Sequence, residues 1–140
     1  MPLSRPALGI TLFAVVNGLI AQVLEGYAAH GLVEIAGDYA PTLYHTSAKY
    51  HMWHVLALFF VVLIYDRVTV LPARVLLWVT VALFSIGMVM FSGGMYGVPF
   101  GASIYITVAG AILLQVGWGA FVLAIAAALV VRTGESALKS

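Results

Sequence analysis

Three ionisable side chains interrupt long apolar stretches of the sequence: Glu25, His51 and His54. Such groups are costly in an apolar surrounding and often indicate function. His51 and His54 are three residues apart, so on a helix they share one face. Two histidines on one face can bind a metal when a neighbouring helix supplies the remaining ligands. Glu25 and His30 are the plausible additional donors, and the sequence predicts these four residues as a candidate metal site.

Glu25 is also a possible direct partner of one histidine. Glu25 and His54 each lie five residues from the predicted outer end of their apolar stretch, taken as His30 and Lys49 respectively. At about 1.5 Å per helical residue, both would lie about 7–8 Å deep and would meet across two antiparallel helices. His45 is on the opposite side of the helix from His54 and is excluded from this face. Alternatively, the histidines bond backbone carbonyls or lipid headgroups near the membrane surface, or they handle protons.

The composition shows what surrounds these residues. Of 140 residues, 64% are hydrophobic and only 8% are charged, whereas a soluble domain has about 45–50% apolar and about 25% charged residues. This excludes a water-soluble globule and a disordered chain, and a net charge of +1 excludes a nucleic-acid binder. The absence of cysteine excludes disulfides, thiolate metal sites and cysteine nucleophiles. The sequence therefore predicts an integral membrane protein.

The apolar residues are sufficient for about four spans of about 20 residues each. Glycines, prolines and charged residues separate the apolar runs and predict spans at about 7–29, 44–65, 72–95 and 103–131. We expect these spans to form a single transmembrane domain of residues 1–140. Pro41 is expected to lie in a break before the second span, and the segment SGGMYGVPFG is expected to end the third. We expect the first run to be retained as a span. The predicted fold is an all-α integral membrane four-helix bundle.

The distribution of basic residues predicts the orientation of the chain. With four spans, the two termini and the middle loop share one side of the membrane. That side collects five of the six basic residues, and the other side has only Lys49. The five are Arg5, Arg67, Arg74, Arg132 and Lys139. This bias predicts cytoplasmic termini in the cell inner membrane, or matrix termini in the mitochondrial inner membrane of a eukaryote.

Small residues recur on the first and fourth spans at spacings that favour close helix packing. The first stripe is Gly18, Gln22, Glu25 and Ala29, and the second comprises Gly110, Gly117, Gly119, Ala120, Ala124 and Ala128. Scattered methionines, Met88, Met90 and Met95, are expected to fill the core. The sequence contains no P-loop, nucleophile elbow or HExxH motif, and it predicts no catalytic residue and no cofactor.

Four segments carry a family resemblance: YAAHGL at 27–32, KYHMWHVLAL at 49–58, FSGGMYGVPF at 91–100 and ITVAGAILLQVGW at 106–118. Their order and spacing resemble the domain of unknown function 423 family, the transmembrane protein 256-like small inner-membrane proteins. Two features depart from the pattern. Residues 107–111 read Thr-Val-Ala-Gly-Ala where the family has Thr-Pro-x-Gly-Gly, and Glu25 replaces a small residue. The resemblance implies a compact four-helix membrane protein with an outward histidine-bearing end, and it implies no activity.

Three functions are compatible with these observations. The first is a non-enzymatic accessory or structural subunit that packs against other membrane subunits, or against itself, within the lipid bilayer. The alternative is a metal-, haem- or quinone-binding membrane protein that uses the histidine cluster, with Tyr50 or Trp53 lining a cavity. A weaker alternative is an oligomeric pore for protons or small solutes.

Overall fold

The computed structural model describes residues 3–137, with side chains as far as Val131, and its regular structure in that range is helical. Four helices are long and apolar enough to cross a membrane, which confirms the predicted all-α, four-span architecture. In chain order the elements are α1 (Arg5–His30), the short α2 (Leu32–Ala36), α3 (Ala40–Tyr65), α4 (Leu71–Gly97), a 3-10 turn (Val98–Phe100) and α5 (Ile104–Ala137).

Prolines occupy the first turn of three of the long helices. Pro6, Pro41 and Pro72 lie at the starts of α1, α3 and α4, where a missing N–H is harmless and the fixed φ suits the helix. The interpretation of Pro41 as part of a break was therefore wrong. α3 begins at Ala40 rather than near Tyr44, so each polar residue on α3 lies further from the start of the helix than expected.

The closest helix contact is between α4 and α5, and the backbones touch there at glycines. The two glycines that α5 brings to this contact, Gly110 and Gly117, are seven residues apart. Gly87 lies on α4 opposite Gly110 of α5. A Cβ on Gly110 would overlap the Phe91 backbone nitrogen and lie 2.8 Å from the Gly87 carbonyl oxygen. Gly117 similarly admits the ring of Phe84. The predicted close packing of the fourth span is confirmed at these glycines, whereas Gly119 faces open space.

The face of α1 that packs on α3 differs from the predicted stripe. Gly18 does face α3, because a Cβ added to it would lie 3.5 Å from a methyl carbon of Val55. However, Gln22 and Ala29 are exposed, and Glu25 is only half-buried. The buried positions follow a neighbouring line along the helix: Ala7, Ile10, Ala14, Asn17, Ala21 and Ala28. This line turns Asn17 toward α3, so a polar side chain enters the protein interior.

The core is continuous across all four long helices, because α1 packs on α3, α3 on α4, and α4 on α5. Leu58, Leu77, Phe84 and Met88 are fully buried within it. Met95 is also buried, in agreement with the core role predicted for the methionines. A second apolar cluster lies at the α2 end, where Leu32, Tyr44 and Tyr96 meet.

Hydrogen bonds join the start of α1 to the loop between α3 and α4. The Ser4 backbone N–H and hydroxyl donate to the Asp66 carboxylate at 3.1 and 2.8 Å, and these two bonds hold the pKa of Asp66 below its usual value. Nearby, Arg74 and Trp78 both donate to the Tyr65 hydroxyl. The N-terminus and the middle loop therefore share one end of the molecule. Of the residues counted for orientation, Lys139 and the Arg132 side chain lie outside the described residues.

Candidate functional site: polar side chains within the spans

His51 is the centre of a buried polar group that joins α1, α3 and α4. Its side chain is 4% exposed. Asn17 donates from Nδ2 to the Phe13 carbonyl at 2.8 Å, which leaves its Oδ1 to accept the His51 Nε2–H at 3.2 Å. The other ring nitrogen, Nδ1, then accepts the Tyr96 hydroxyl at 3.5 Å. A neutral imidazole satisfies both bonds, so this arrangement is a hydrogen-bonded core group.

Beside this group, two serines bond reciprocally across α3 and α4. The Ser47 hydroxyl donates to the Ser92 carbonyl at 3.1 Å, and the Ser92 hydroxyl donates to the Ser47 carbonyl at 3.5 Å. Both serines are almost completely buried. Such bonds between spans fasten helices together where no water competes for the same partners.

His54 is also buried, and its two nitrogens have different partners. Nδ1 lies 2.8 Å from the Tyr50 carbonyl, which only accepts, so Nδ1 carries the proton. Nε2 then accepts the indole N–H of Trp118 on α5 at 3.3 Å. The Phe84 ring meets the imidazole edge-on, with centroids 5.4 Å apart. His54 is therefore held as a neutral ring that positions Trp118.

Both histidines lie near the middle of α3. Counted from Ala40, His51 and His54 are eleven and fourteen residues into a helix of 26 residues. At about 1.5 Å per residue, this places them about 16–21 Å from the start of α3, near the middle of the helix. The prediction of 7–8 Å for His54 was counted from Lys49, which is nine residues beyond the observed start of α3. The face shared by the two histidines is confirmed, since both are buried.

Glu25 pairs with His45, and the predicted Glu25–His54 pair does not form. Glu25 Oε1 lies 2.6 Å from His45 Nδ1. The register of α1 against α3 gives the reason. Asn17 is opposite His51, and along antiparallel helices a step of eight residues to Glu25 leads about eight residues back along α3, to the turn that contains His45.

The four candidate metal ligands are not brought together. His30 is exposed at the end of α1, Glu25 contacts His45, and His51 and His54 each have other partners. Among the residues that the structure describes, no three histidine or acidic side chains are close enough to share a metal ion.

A half-exposed group of polar side chains lies where α1 and α3 meet, toward the ends that α2 connects. We call Gln22, Glu25, His45 and Lys49 the polar face. They line a cavity of about 180 Å³ together with Ala21, Ala48 and Met52. Glu25 and His45 are 44% and 49% exposed, yet Glu25 Oε2 is turned inward and has no hydrogen-bond partner in the described part of the chain. The ammonium of Lys49 lies 5.1 Å from the centre of the Trp53 ring.

Asn17, Tyr96 and Trp118 are the polar partners that sequence reasoning missed. A buried histidine needs acceptors and donors from neighbouring helices, so an asparagine near the middle of the first span was a signal for a partner of His51. No comparable signal exists for Trp118, because its bond to His54 joins residues 64 positions apart.

Comparison with known proteins supports the resemblance seen in the sequence. The model of the family described as protein of unknown function (DUF423) matches residues 24–125. The chain is 34% identical to the UPF0382 membrane protein YwdK of Bacillus subtilis over 87 residues, which cover 61% of this chain and 67% of that protein.

It is also 31% identical to a UPF0382 membrane protein of Haemophilus influenzae over 112 residues, covering 78% of this chain and 86% of the relative. No solved structure matches. Thr107, which begins the departing motif, is buried and packs on Gly94 of α4. With four apolar helices of spanning length and a family match over most of its length, this chain is a membrane protein that belongs to the DUF423 family.

Proposed function

We propose that this protein is a non-enzymatic accessory or structural subunit of a larger membrane complex, and that it contacts its partner through the polar face. The observation that carries this proposal is the outward exposure of Gln22 and Lys49, together with the Glu25–His45 pair, on apolar spanning helices. The proposal concerns a contact surface and assigns no reaction to the chain.

The energetic argument rests on depth. Gln22 is eight residues from the end of α1, and Lys49 is nine residues from the start of α3. At about 1.5 Å per residue these positions are about 12–13 Å from the helix ends. Polar groups at such depth are costly in lipid, whereas each hydrogen bond to a partner helix would contribute about 0.6–2 kcal/mol. The exposed amide of Gln22, which has no hydrogen-bond partner in the described part of the chain, is available for one such bond.

Photo-crosslinking in native membranes tests this contact. With p-benzoylphenylalanine in place of Gln22, we expect a discrete adduct with one larger membrane protein, identified by mass spectrometry. The matched control is the same replacement of Leu12, which is 65% exposed on α1 but lies away from the polar face. Equal adducts at both positions, or none at Gln22, would contradict the proposal. An adduct with the mass of two copies of this chain would show that the polar face contacts a second copy and not a larger protein.

The location and orientation form a second part of the proposal: an inner membrane with both termini in the cytoplasm. Five of the six Lys and Arg residues on one side support it. Because the chain has no cysteine, single cysteines report cleanly on sidedness. Asp38→Cys, in the outer connection, should react with a membrane-impermeant maleimide once the outer membrane is permeable. Thr69→Cys, in the α3–α4 loop, should react only after the inner membrane is disrupted. The reverse pattern would invert the orientation.

A further inference from the structure

A second cavity, of about 450 Å³, lies between α3, α4 and α5; it shares no lining residue with the polar face, although Trp53 on its wall contacts Lys49. Its volume is within the range of about 300–1,000 Å³ that is typical of small-molecule sites. Aromatic rings form most of its wall, with polar groups among them. The residues that matter here are Tyr50, Trp53, His54, Phe91, Gln115 and Trp118.

The depth of this cavity is unusual for its tryptophans. Trp53 is thirteen residues beyond Ala40, and Trp118 is fourteen residues beyond Ile104. At about 1.5 Å per residue both lie about 20 Å from the outer ends of their helices, near the middle of the bilayer. Tryptophan in membrane proteins is enriched at the two interfaces rather than at this depth. Both rings are also partly exposed, at 49% and 42%. A role in lining a site accounts for this position.

The wall formed by Trp118 is held in place by its neighbours. Its indole N–H donates to His54 Nε2, and its ring meets Phe84 edge-on with centroids 5.1 Å apart. Phe84 can lie there because Gly117 has no side chain. On the opposite wall, Tyr50 contacts Trp53 at 5.1 Å and Phe91 at 5.5 Å between ring centroids. The cavity is thus preformed, which reduces the entropy lost when a ligand binds.

The polar groups of the cavity are neutral, and two of them have no hydrogen-bond partner among the described residues. Gln115 is exposed eleven residues into α5, and no described residue bonds its amide. An amide without a partner at this depth is costly, and a ligand oxygen would satisfy it. Tyr50 adds a hydroxyl without a described partner. None of the lining residues carries a full charge while His54 is neutral.

We propose that this cavity binds a lipid-soluble quinone. The aromatic walls suit a planar ring, the Gln115 amide can donate to a ring carbonyl, and the opening toward lipid between the helices accommodates an isoprenoid tail. Haem fits the same residues less well. His54 Nε2 would have to release Trp118 to bind iron, and no basic side chain lines the cavity to pair with the propionates.

Quenching of tryptophan fluorescence by decylubiquinone tests the proposal on the full chain in lipid nanodiscs. The chain has three tryptophans, and Trp78→Phe removes the one outside the cavity. We expect saturable quenching in this background. Gln115→Leu should weaken the apparent affinity about threefold to tenfold, the effect of one lost hydrogen bond. Ala111→Phe, which places a ring inside the cavity, should abolish the saturable phase.

Two matched variants control for partitioning and for folding. Gln22→Leu removes the exposed glutamine of α1, and the second variant adds a ring on α5. This second variant is Val116→Phe, at a 53% exposed position of α5 that lies outside both the cavity and the groove that Ala126 shares with Trp118. Gln22→Leu and Val116→Phe should bind decylubiquinone as the parent does, and decanol should quench none of the proteins. Quenching that rises linearly without saturation would overturn the proposal. So would equal apparent affinities in the parent, Gln115→Leu and Ala111→Phe proteins.

Discussion

Gly110→Ala is expected to destabilise the protein by about 3 kcal/mol, the upper part of the range for overpacked cores. The added Cβ would overlap the Phe91 nitrogen and approach the Gly87 carbonyl, which are both backbone atoms and cannot rotate away. Helices α4 and α5 would have to move apart along their whole contact. The gain in helix propensity, at most about 1 kcal/mol, does not offset this. Unfolding in sodium dodecyl sulfate, followed by circular dichroism, measures the change.

Gly119→Ala is the matched control for this substitution, because it is on the same helix and its Cβ would meet open space. We expect its stability to lie within about 0.5–1 kcal/mol of the parent. If Gly110→Ala and Gly119→Ala unfolded at the same detergent fraction, the close α4–α5 contact described above would be wrong.

His51→Ala is expected to cost about 2–4 kcal/mol, the sum of a small cavity and lost hydrogen bonds. The substitution leaves Asn17 Oδ1 without its donor and the Tyr96 hydroxyl without its acceptor, in the interior of a membrane protein. The same unfolding assay in mixed micelles reports the loss.

Two comparisons make this result specific. His30→Ala changes an exposed histidine at the end of α1 and should alter stability by less than about 0.5 kcal/mol. A double-mutant cycle of Asn17→Ala and His51→Ala should show coupling of about 0.6–1.7 kcal/mol, the range found for bonds between spanning helices. If the cycle showed no coupling and His51→Ala lowered the free energy of unfolding no more than His30→Ala, the buried Asn17–His51 hydrogen bond would be contradicted.

Hydropathy predicted the number of spans because bilayer thickness sets the length of an apolar helix. The start of α3 was not predictable in the same way. Proline both breaks a helix and begins one, and the composition around Pro41 does not distinguish the two roles. The expected depth of His54 was counted from Lys49, nine residues beyond the start of α3 at Ala40, so it placed His54 closer to the end of the helix than it lies.

The inward face of α1 could not be read from its sequence. Lipid and protein interior are almost equally apolar, so a spanning helix has no hydrophobic side that identifies the core. The stripe through Gly18 and Glu25 and the buried line through Asn17 differ by one position around the helix. The resulting register decides whether Glu25 meets His45 or His54, and only the packed structure supplies it.

Two of the sequence-based hypotheses now concern different places in the molecule. The polar face lies between α1 and α3, toward the ends that α2 connects, whereas the aromatic cavity lies near the middle of α3 and α5. Substitutions at Gln22 and Gln115 therefore separate a protein contact from a ligand site. Loss of one property without the other would show that the two sites act independently.

Native mass spectrometry of the protein, released from its own membranes in lipid nanodiscs, tests the proposed accessory role most directly. We expect a defined complex that contains this chain and one larger membrane protein. Replacing both Gln22 and Lys49 by leucine should dissociate that complex, while Gln115→Leu should leave it intact. A single chain with bound lipid as the only species, in the parent and in every variant, would contradict the account.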